Sequence, residues 1–533
     1  MIRSGSWQSF VKQETLEVHG YKKLDEVIRQ LEKRLPAHVR STLGYSVDAL
    51  VDRLAQKITM IMTVPFLREA VARHVNGSMS FPSDDTDFIA GGIEVDTATG
   101  NVRPQLHLLS RNLGAFLFLW LAFLAAWAAS LWTGRRNPSA LLLFGVAAAD
   151  LTFKGNDARF MDYCRRGPLE PLRTAKKLVV HTPQRIVATR PAEATYTRLP
   201  LLHLFSTQRM RISSSLFFLA MHTRALVAFL WAVIRAPIHS VLWRDFAEHA
   251  AAAALNRAGS IEAVVITNTN WLQQLLWMNA LEQRRFKCHM ALYSLNSHAI
   301  VYRSDPVDHA YPGIRQLKVD EVWVWNEPYR ARLAADGVTV QSVVVEPILW
   351  YLPETPRIET PADGITLCVF DVQPKTTEAS RANGSLVNYY NTDTAIRFID
   401  DILRARDRVA WQTAVDIRIV LKHKRPATWQ HDPRYFEHIE TLRTTASGFE
   451  VAPSDSNVYA LISDSDLVIA PPYSSPAYVA AHVGVPAIFY DATAEVLPTH
   501  APHPLIRFMD GYSALELAMA RLEGVADPSA TRR

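Results

Sequence analysis

Asp466-Leu-Val-Ile-Ala-Pro-Pro-Tyr-Ser-Ser-Pro-Ala-Tyr-Val-Ala-Ala-His-Val-Gly-Val-Pro-Ala-Ile-Phe-Tyr-Asp491 changes its periodicity twice. Asp466–Ala470 is a short apolar run closed by prolines, the pattern of a strand buried on both faces. Ala487–Tyr490 repeats that pattern. Between them Pro476 suits the first position of a helix, where its missing N–H would be unpaired anyway. Ser475 is then placed as the N-cap, and Gly484 with Pro486 stops the helix. Strand, tight loop, helix and strand make the unit of a parallel sheet covered by helices. The loop also delivers two hydroxyls, Ser474 and Ser475, to a helix start, where N–H groups can hold a phosphate. A purely structural cap is the commoner use of the same residues.

The alternation extends outward from this unit. Upstream, Thr366–Phe370, Asp416–Leu421 and Phe449–Val451 read as strands, with helices at Thr394–Arg406, Tyr435–Thr445, Asn457–Ser463 and Ser513–Glu523. A proline-rich linker, residues 353–364, precedes them. Before it lies a second series, with strands at Leu141–Val146, Leu178–His181, Ala263–Ile266, Met290–Tyr293, Glu321–Val324 and Val340–Val345. Asp157–Arg166 and Phe246–Ala258 read as helices of that series. The predicted fold class is α/β, with two doubly wound Rossmann-like domains at residues 138–352 and 365–525 and a tail at 526–533. Two such domains would set a cleft between two sets of strand ends, where ligands bind.

Residues 1–110 read as a helical region, with Leu24, Val27, Ile28 and Leu31 at helical spacing and further periodic runs at Val47–Met62 and Val64–Val75. Gly91–Gly100 suggests a loop or small hairpin. Leu113–Trp132 carries no charge and, as a helix, would be about 30 Å long. Residues 111–137 are therefore expected to form a transmembrane or membrane-associated helix, with Arg111 marking one end and Trp132, Arg135 and Arg136 the other. A second apolar run, Ser213–Trp243, contains Arg224, Arg235, His222 and His239 and is broken by Pro237. It reads as two partly amphipathic helices, and packing on the sheet is preferred over lying on a membrane because charges interrupt it.

The 533 residues carry a net charge of +5, a balance suited to anionic ligands or a membrane surface. No arginine-rich run or nucleic-acid motif accompanies it, so no nucleic-acid partner is expected. Cys164, Cys288 and Cys368 are too few and too scattered for a disulfide framework or a zinc site, and read as reduced, buried, cytosolic thiols. Residues 1–20 lack the apolar core of a signal peptide. Neither a Walker loop nor GxGxxG is present, and no metal or cofactor is called for.

Chemistry concentrates at three strand ends of the second domain. Asp371 follows the first, Lys422-His-Lys-Arg425 closes the second, and the Ser474-Ser475 loop closes the third. A Lys and a potentially bidentate Arg beside a helix start suit a diphosphate. The bland alternative is a solvated basic turn. In the first domain, Thr267-Asn-Thr-Asn270 and Tyr293-Ser-Leu-Asn-Ser-His298 are polar strand ends that suit a hydroxylated acceptor, or simply make turns.

Several of these phrases occur together in one known family. Pro472-Tyr-Ser-Ser-Pro476 with Gly484-Val-Pro-Ala-Ile-Phe-Tyr-Asp491 resembles the bacterial polysaccharide-biosynthesis proteins named for a Pro-Phe-Thr-Ser motif. So do Thr267-Asn-Thr-Asn270, Met290-Ala-Leu-Tyr-Ser-Leu-Asn296, Pro347-Ile-Leu-Trp-Tyr-Leu-Pro353, Phe370-Asp-Val372, Asn388-Tyr-Tyr-Asn391 and Leu421-Lys-His-Lys-Arg425, in the same order along residues 139–525. Tyr473 and Ser474 stand where the motif's name has Phe and Thr, and His423 stands where proline would be expected.

The resemblance implies a GT-B-type glycosyltransferase, similar to bacterial transferases that use CMP-activated acidic sugars such as sialic acid or Kdo. It implies donor binding by Lys422, His423, Arg425, Tyr473, Ser474 and Ser475, without a metal. Asn268, Asn270, Ser294 and Asn296 would contact a saccharide or lipid-linked saccharide acceptor, and Asp371 or His298 would serve as base. The expected setting is the cytoplasmic membrane, with catalytic domains facing the cytosol and a nucleotide-sugar donor. A CDP-glycerol-type glycerophosphotransferase and a non-enzymatic membrane scaffold are the rival readings. A true span would set residues 1–110 on the opposite side from the catalytic domains, a conflict that a docked helix removes.

Overall fold

A computed structural model of the chain describes residues 41–60, 87–146, 157–352 and 364–520, with a few positions before 41. Short breaks fall at 91–92, 97–100, 105, 135–137, 147–150, 151–156, 183–185, 210, 268–272, 295–299, 305–313, 353–363, 377–387 and 500–502. The chain forms two compact units, one built from residues 20–293 with 310–352, the other from 353–533 with 294–309.

The first unit opens with β1 (Asp87–Ala90), β2 (Ile93–Asp96) and β3 (Asn101–Pro104), a small antiparallel sheet. Of the loop or small hairpin expected at 91–100, residues 93–96 form β2 and the rest lie outside the described residues. Then come β4 (Ala140–Phe144), β5 (Leu178–His181), β6 (Ala194–Thr197), β7 (Ile261–Thr267), β8 (Lys287–Ala291), β9 (Glu321–Val324) and β10 (Gln341–Val344). They pair in parallel in the order β10-β9-β8-β7-β4-β5-β6. β4 is buried along its whole length, as a central parallel strand must be.

Four helices of this unit matter below: α1 (Leu106–Thr133), α2 (Pro200–Thr207), α3 (Ile212–Arg235) and α4 (Trp243–Arg257). α4 is buried from Asp245 to Asn256, with a run of five alanines that lets neighbours approach closely. α1, α2 and α3 all pack on it. Its buried charges are matched: Asp245 pairs with Arg53 from the helical stretch 47–60 at 3.0 Å, and Glu248 accepts from Arg244 (2.6 Å) and from Trp277 Nε1 (2.9 Å). The run Ser213–Trp243 does break at Pro237, but the first helix continues unbroken from Ile212 to Arg235. Only one face of it packs, and on α4 instead of the sheet; the other is exposed.

The second unit holds β11 (Ile365–Phe370), β12 (Ile417–Lys422), β13 (Phe449–Ala452), β14 (Leu467–Ala470), β15 (Ala487–Asp491) and β16 (Ile506–Asp510), all parallel, in the order β13-β12-β11-β14-β15-β16. Its helices include α5 (Thr392–Thr413), α6 (Pro433–Thr445), α7 (Ser475–His482) and α8 (Gly511–Ala520). Leu367, Val369, Ile419, Leu421, Ile469 and Phe398 anchor one core between sheet and helices. The two-sheet α/β architecture read from the sequence is the one observed, with β6 and β16 as additional edge strands.

One stretch that precedes the linker in sequence groups with the second unit. Residues 300–304 fall within the predicted first domain, 138–352, yet Tyr302 bridges Val496, Leu497 N donates to Val301 O (2.8 Å) and Arg303 pairs with Asp510 (2.5 Å). This segment is a strap on the second unit, fixed by backbone hydrogen bonds that no local periodicity announces.

Candidate anion site at the carboxyl edge of the six-stranded sheet

In this sheet the chain starts at β11, fills β12 and β13 on one side, then crosses to β14 on the other. The point where the order reverses, between β11 and β14, is where open parallel sheets bind ligands, because the loops leaving the two strands diverge there. Asp371 leaves β11 at this point, and the Pro471–Ser474 loop leaves β14.

The β14 loop is more unusual than its sequence suggests. Tyr473 adopts φ +58°, a left-handed conformation that a non-glycine residue takes only when its surroundings enforce it. Its ring is buried against Phe489 and Phe508 (centroids 5.7 and 6.1 Å), and its hydroxyl accepts from Thr499 N (2.8 Å). Tyr473 thus braces the loop from within rather than facing a ligand. The turn shifts the helix start by one residue from the predicted position: Ser474, not Ser475, is the N-cap, and Ser475 opens α7. The Ser474 hydroxyl donates to Pro471 O (2.9 Å) and so does not cap the helix. The Ser474 side chain therefore does not cap α7, whose N-terminus carries the positive end of the helix dipole.

One strand further along, the end of β12 meets the end of β11. The buried carboxylate of Asp371 accepts three donors: His423 Nδ1 (2.5 Å) and Tyr435 Oη (2.7 Å) on Oδ2, and Lys424 N (3.0 Å) on Oδ1. Because His423 donates from Nδ1, its neutral ring presents a lone pair at Nε2. Gln373, which follows β11, locks the same turn, accepting from Arg425 N (3.0 Å) and donating back to Arg425 O. Lys422 is buried, and its ammonium donates to the carbonyls of His423 (3.2 Å) and Ser454 (3.1 Å). It therefore holds the turn's backbone, whereas Lys424 and Arg425 are exposed.

The turn continues into a loop zipped onto the chain after β11: Lys375 bridges His431, Thr376 N donates to Gln430 O (2.8 Å) and Asp432 N to Pro374 O (3.0 Å). Lys375 and His431 thereby join Lys424 and Arg425 in one cationic cluster, with Trp429 exposed at the loop's tip. Burial lowers the pKa of Lys375, and Arg425 lowers it further; burial, Arg425 and Lys375 do the same to His431. Neighbouring cations add to burial in lowering both groups, while the Asp371 carboxylate opposes them at His431.

The site thus gathers Asp371, His423, Arg425, Ser474 and Ser475 at one sheet edge, as the sequence suggested, with Lys422 and Tyr473 turned inward as supports. Gln373, Lys375, Tyr435 and His431 complete it. Lys375 lies on the chain leaving β11; Tyr435, in the first turn of α6, carried no local signal. Of the acceptor residues, Asn268, Asn270 and Asn296, like the alternative base His298, lie outside the described residues. Ser294 is described, half-buried, and groups with the second unit.

A family model, "Polysaccharide biosynthesis PFTS motif protein", matches residues 226–519, more than half of the chain. No curated protein matches. Among solved structures the chain is similar to the wall teichoic acid polymerase TagF (9% identity, TM-score 0.40, 79% of this chain and 89% of that one). It is likewise similar to sucrose-phosphate synthase (tll1590) from Thermosynechococcus elongatus (13%, 0.39, 73% and 90%) and to OtsA (10%, 0.36, 72% and 91%).

Proposed function

The chain belongs to the polysaccharide biosynthesis PFTS motif family, and on that premise we propose that it is a glycosyltransferase moving a sugar from a nucleotide-linked donor to a saccharide acceptor of a surface polysaccharide. One observation carries the reading: the start of α7, with Ser475, and the basic residues Lys424, Arg425 and Lys375 share the carboxyl edge of a single sheet at its switch point. β12 and β14 flank β11, so the two features are about 10 Å apart, two strand spacings. That arrangement suits the phosphates of a nucleotide donor, held by the α7 start and Ser475 on one side and by Lys424, Arg425 and Lys375 on the other.

As the bond from sugar to phosphate breaks, negative charge grows on the departing phosphate oxygens. Fixed cations and helix N–H groups stabilise that charge without reorganising, which is the main source of catalysis in such sites. His423 offers an acceptor lone pair at Nε2, suited to a hydroxyl of the donor, and Asp371 sets its ring orientation rather than taking a proton from the acceptor, since three donors already occupy its oxygens. The base for the acceptor hydroxyl would then come from outside this cluster, with His298 the candidate. A CMP-linked acidic sugar is the donor we favour.

Calorimetric titration of the full chain with CMP, CDP and UDP tests the site: at least one should bind at millimolar concentration or tighter, and Arg425→Ala should weaken it about tenfold or more, the worth of a charged hydrogen bond. If none binds, the reading fails. Nucleotide release from CMP-Kdo, CMP-sialic acid, UDP-sugars and CDP-glycerol in parallel then identifies the donor, and release from CDP-glycerol alone would replace sugar transfer by glycerophosphate transfer.

A further inference from the structure

α1 and α3 each bury one seam and expose another. Along α1 the buried positions are Asn112, Phe116, Leu119, Phe123 and Ser130, spaced as one helix face. They pack on α2 and α4. Aromatic contacts pair α1 with α3 in opposite order, Phe116 with Phe229 (4.1 Å), Trp120 with His222 (4.6 Å) and Trp127 with Phe218 (6.4 Å), so the two run antiparallel. Trp120 Nε1 donates to His222 O (3.1 Å) and His222 Nε2 donates to Trp120 O (3.0 Å), a reciprocal clasp.

The opposite faces are apolar and open to solvent. Phe118 is 72% exposed, Trp132 89%, Ile212 82% and Ile234 80%, with Leu121 and Val227 beside them. Neither helix contains an acidic residue; their only charges are Arg111, Arg224 and Arg235. Arg235 lies 5.0 Å over the Trp231 ring, an interfacial pairing of cation and indole.

Both helices are long and apolar enough to cross a bilayer. Crossing, however, would carry α4 with Asp245, Glu248 and Arg244 into hydrocarbon, because α1 and α3 are packed on α4. An apolar face rimmed only by arginines matches the surface of an anionic bilayer, and the same like charges oppose pairing with a second copy. We propose that the exposed faces of α1 and α3 sink into one leaflet of an anionic membrane, so that the chain docks on the bilayer and does not cross it. The chain on either side of α1 then stays on one face of the membrane.

The test uses the full chain, synthesised beside sealed vesicles. It should bind vesicles of phosphatidylcholine with phosphatidylglycerol, and bind phosphatidylcholine vesicles less. Phe118→Glu with Ile234→Glu should lower binding at least about tenfold, since each apolar side chain withdrawn from water is worth that or more. Circular dichroism and melting should be unchanged, both side chains being exposed. Cysteines placed by Ser110→Cys and Pro138→Cys should both react with an impermeant maleimide from outside; the native thiols are buried. Labelling from opposite faces would overturn docking in favour of a span. Binding by the double variant equal to the parent's would also overturn it, as would a detergent-free dimer that the double variant dissolves.

Discussion

Asp371 Oδ2 and His423 Nδ1 lie 2.5 Å apart at the carboxyl edge of the six-stranded sheet, and Tyr435 closes on the same oxygen at 2.7 Å. The carboxylate also takes Lys424 N on its other oxygen. One buried group thus fixes an imidazole, a phenol and the backbone of the cationic turn together.

Replacing Asp371 with Asn keeps the shape but offers an N–H where two donors now arrive. His423 should lose its fixed tautomer, and nucleotide release should fall about a hundredfold or more, the usual worth of a positioned acid–base group. Stability should fall by about 1–3 kcal/mol as a buried donor loses its acceptor. The comparison that decides is with His423→Gln. If Asp371 acts through His423, the double variant should be no slower than the slower single variant; losses that multiply would mean that Asp371 acts on its own.

Nucleotide binding should strengthen as pH falls from about 8 to about 6, the range over which an imidazole titrates. In the free protein His431 is held below its usual pKa by burial, Arg425 and Lys375. A bound phosphate adds negative charge beside it and raises that pKa, so binding takes up a proton and is favoured by acid. Calorimetry in two buffers of different ionisation enthalpy measures the uptake directly, and His431→Gln should abolish it. Proton release on binding would contradict the anion assignment.

Much of the fold was legible because parallel strands buried on both faces must be apolar throughout. Leu141–Val146 and Ala487–Tyr490 show this as plainly in the sequence as β4 and β15 do in space. The edge strands β6 (Ala-Thr-Tyr-Thr) and β16 (Ile-Arg-Phe-Met-Asp) were illegible for the same reason: one side is open, so Thr, Arg and Asp are tolerated. At the site, residues that end strands could be found by position alone. Tyr435 and Gln373 could not, because their partners lie 64 and 52 residues away in the chain. The one-residue error at the start of α7 has a local cause, a positive φ at Tyr473, which sequence statistics give to glycine or asparagine and not to an aromatic.

The three thiols should be silent in the native protein. Cys164, Cys288 and Cys368 are buried, and burial pushes Cys288 and Cys368 up to about 12 and Cys164 higher still. The thiolate is the reactive form, so both access and ionisation oppose attack. An aromatic disulfide reagent at neutral pH should give no fast colour until denaturant is added, and then three equivalents. A rapid native equivalent would show that one of these sites opens.

Arg53 and Asp245 form an ion pair whose side chains are 2% and 0% exposed. Asp245 Oδ1 also accepts Leu276 N (2.8 Å), and Arg53 Nη1 donates to Gln56 (3.1 Å), so the pair ties the helical stretch 47–60 to α4 and to the chain near Leu276. Arg53→Ala leaves a carboxylate buried without its cation and should cost about 3–5 kcal/mol. The pair itself need not be strongly stabilising, since two charges were desolvated to make it. Arg53→Met with Asp245→Leu should therefore be markedly more stable than Arg53→Ala alone. Urea unfolding followed by tryptophan fluorescence gives both values. A cost below about 1 kcal/mol for Arg53→Ala would place the arginine in water, where an exposed pair is worth that little, and would detach the 47–60 helix from α4.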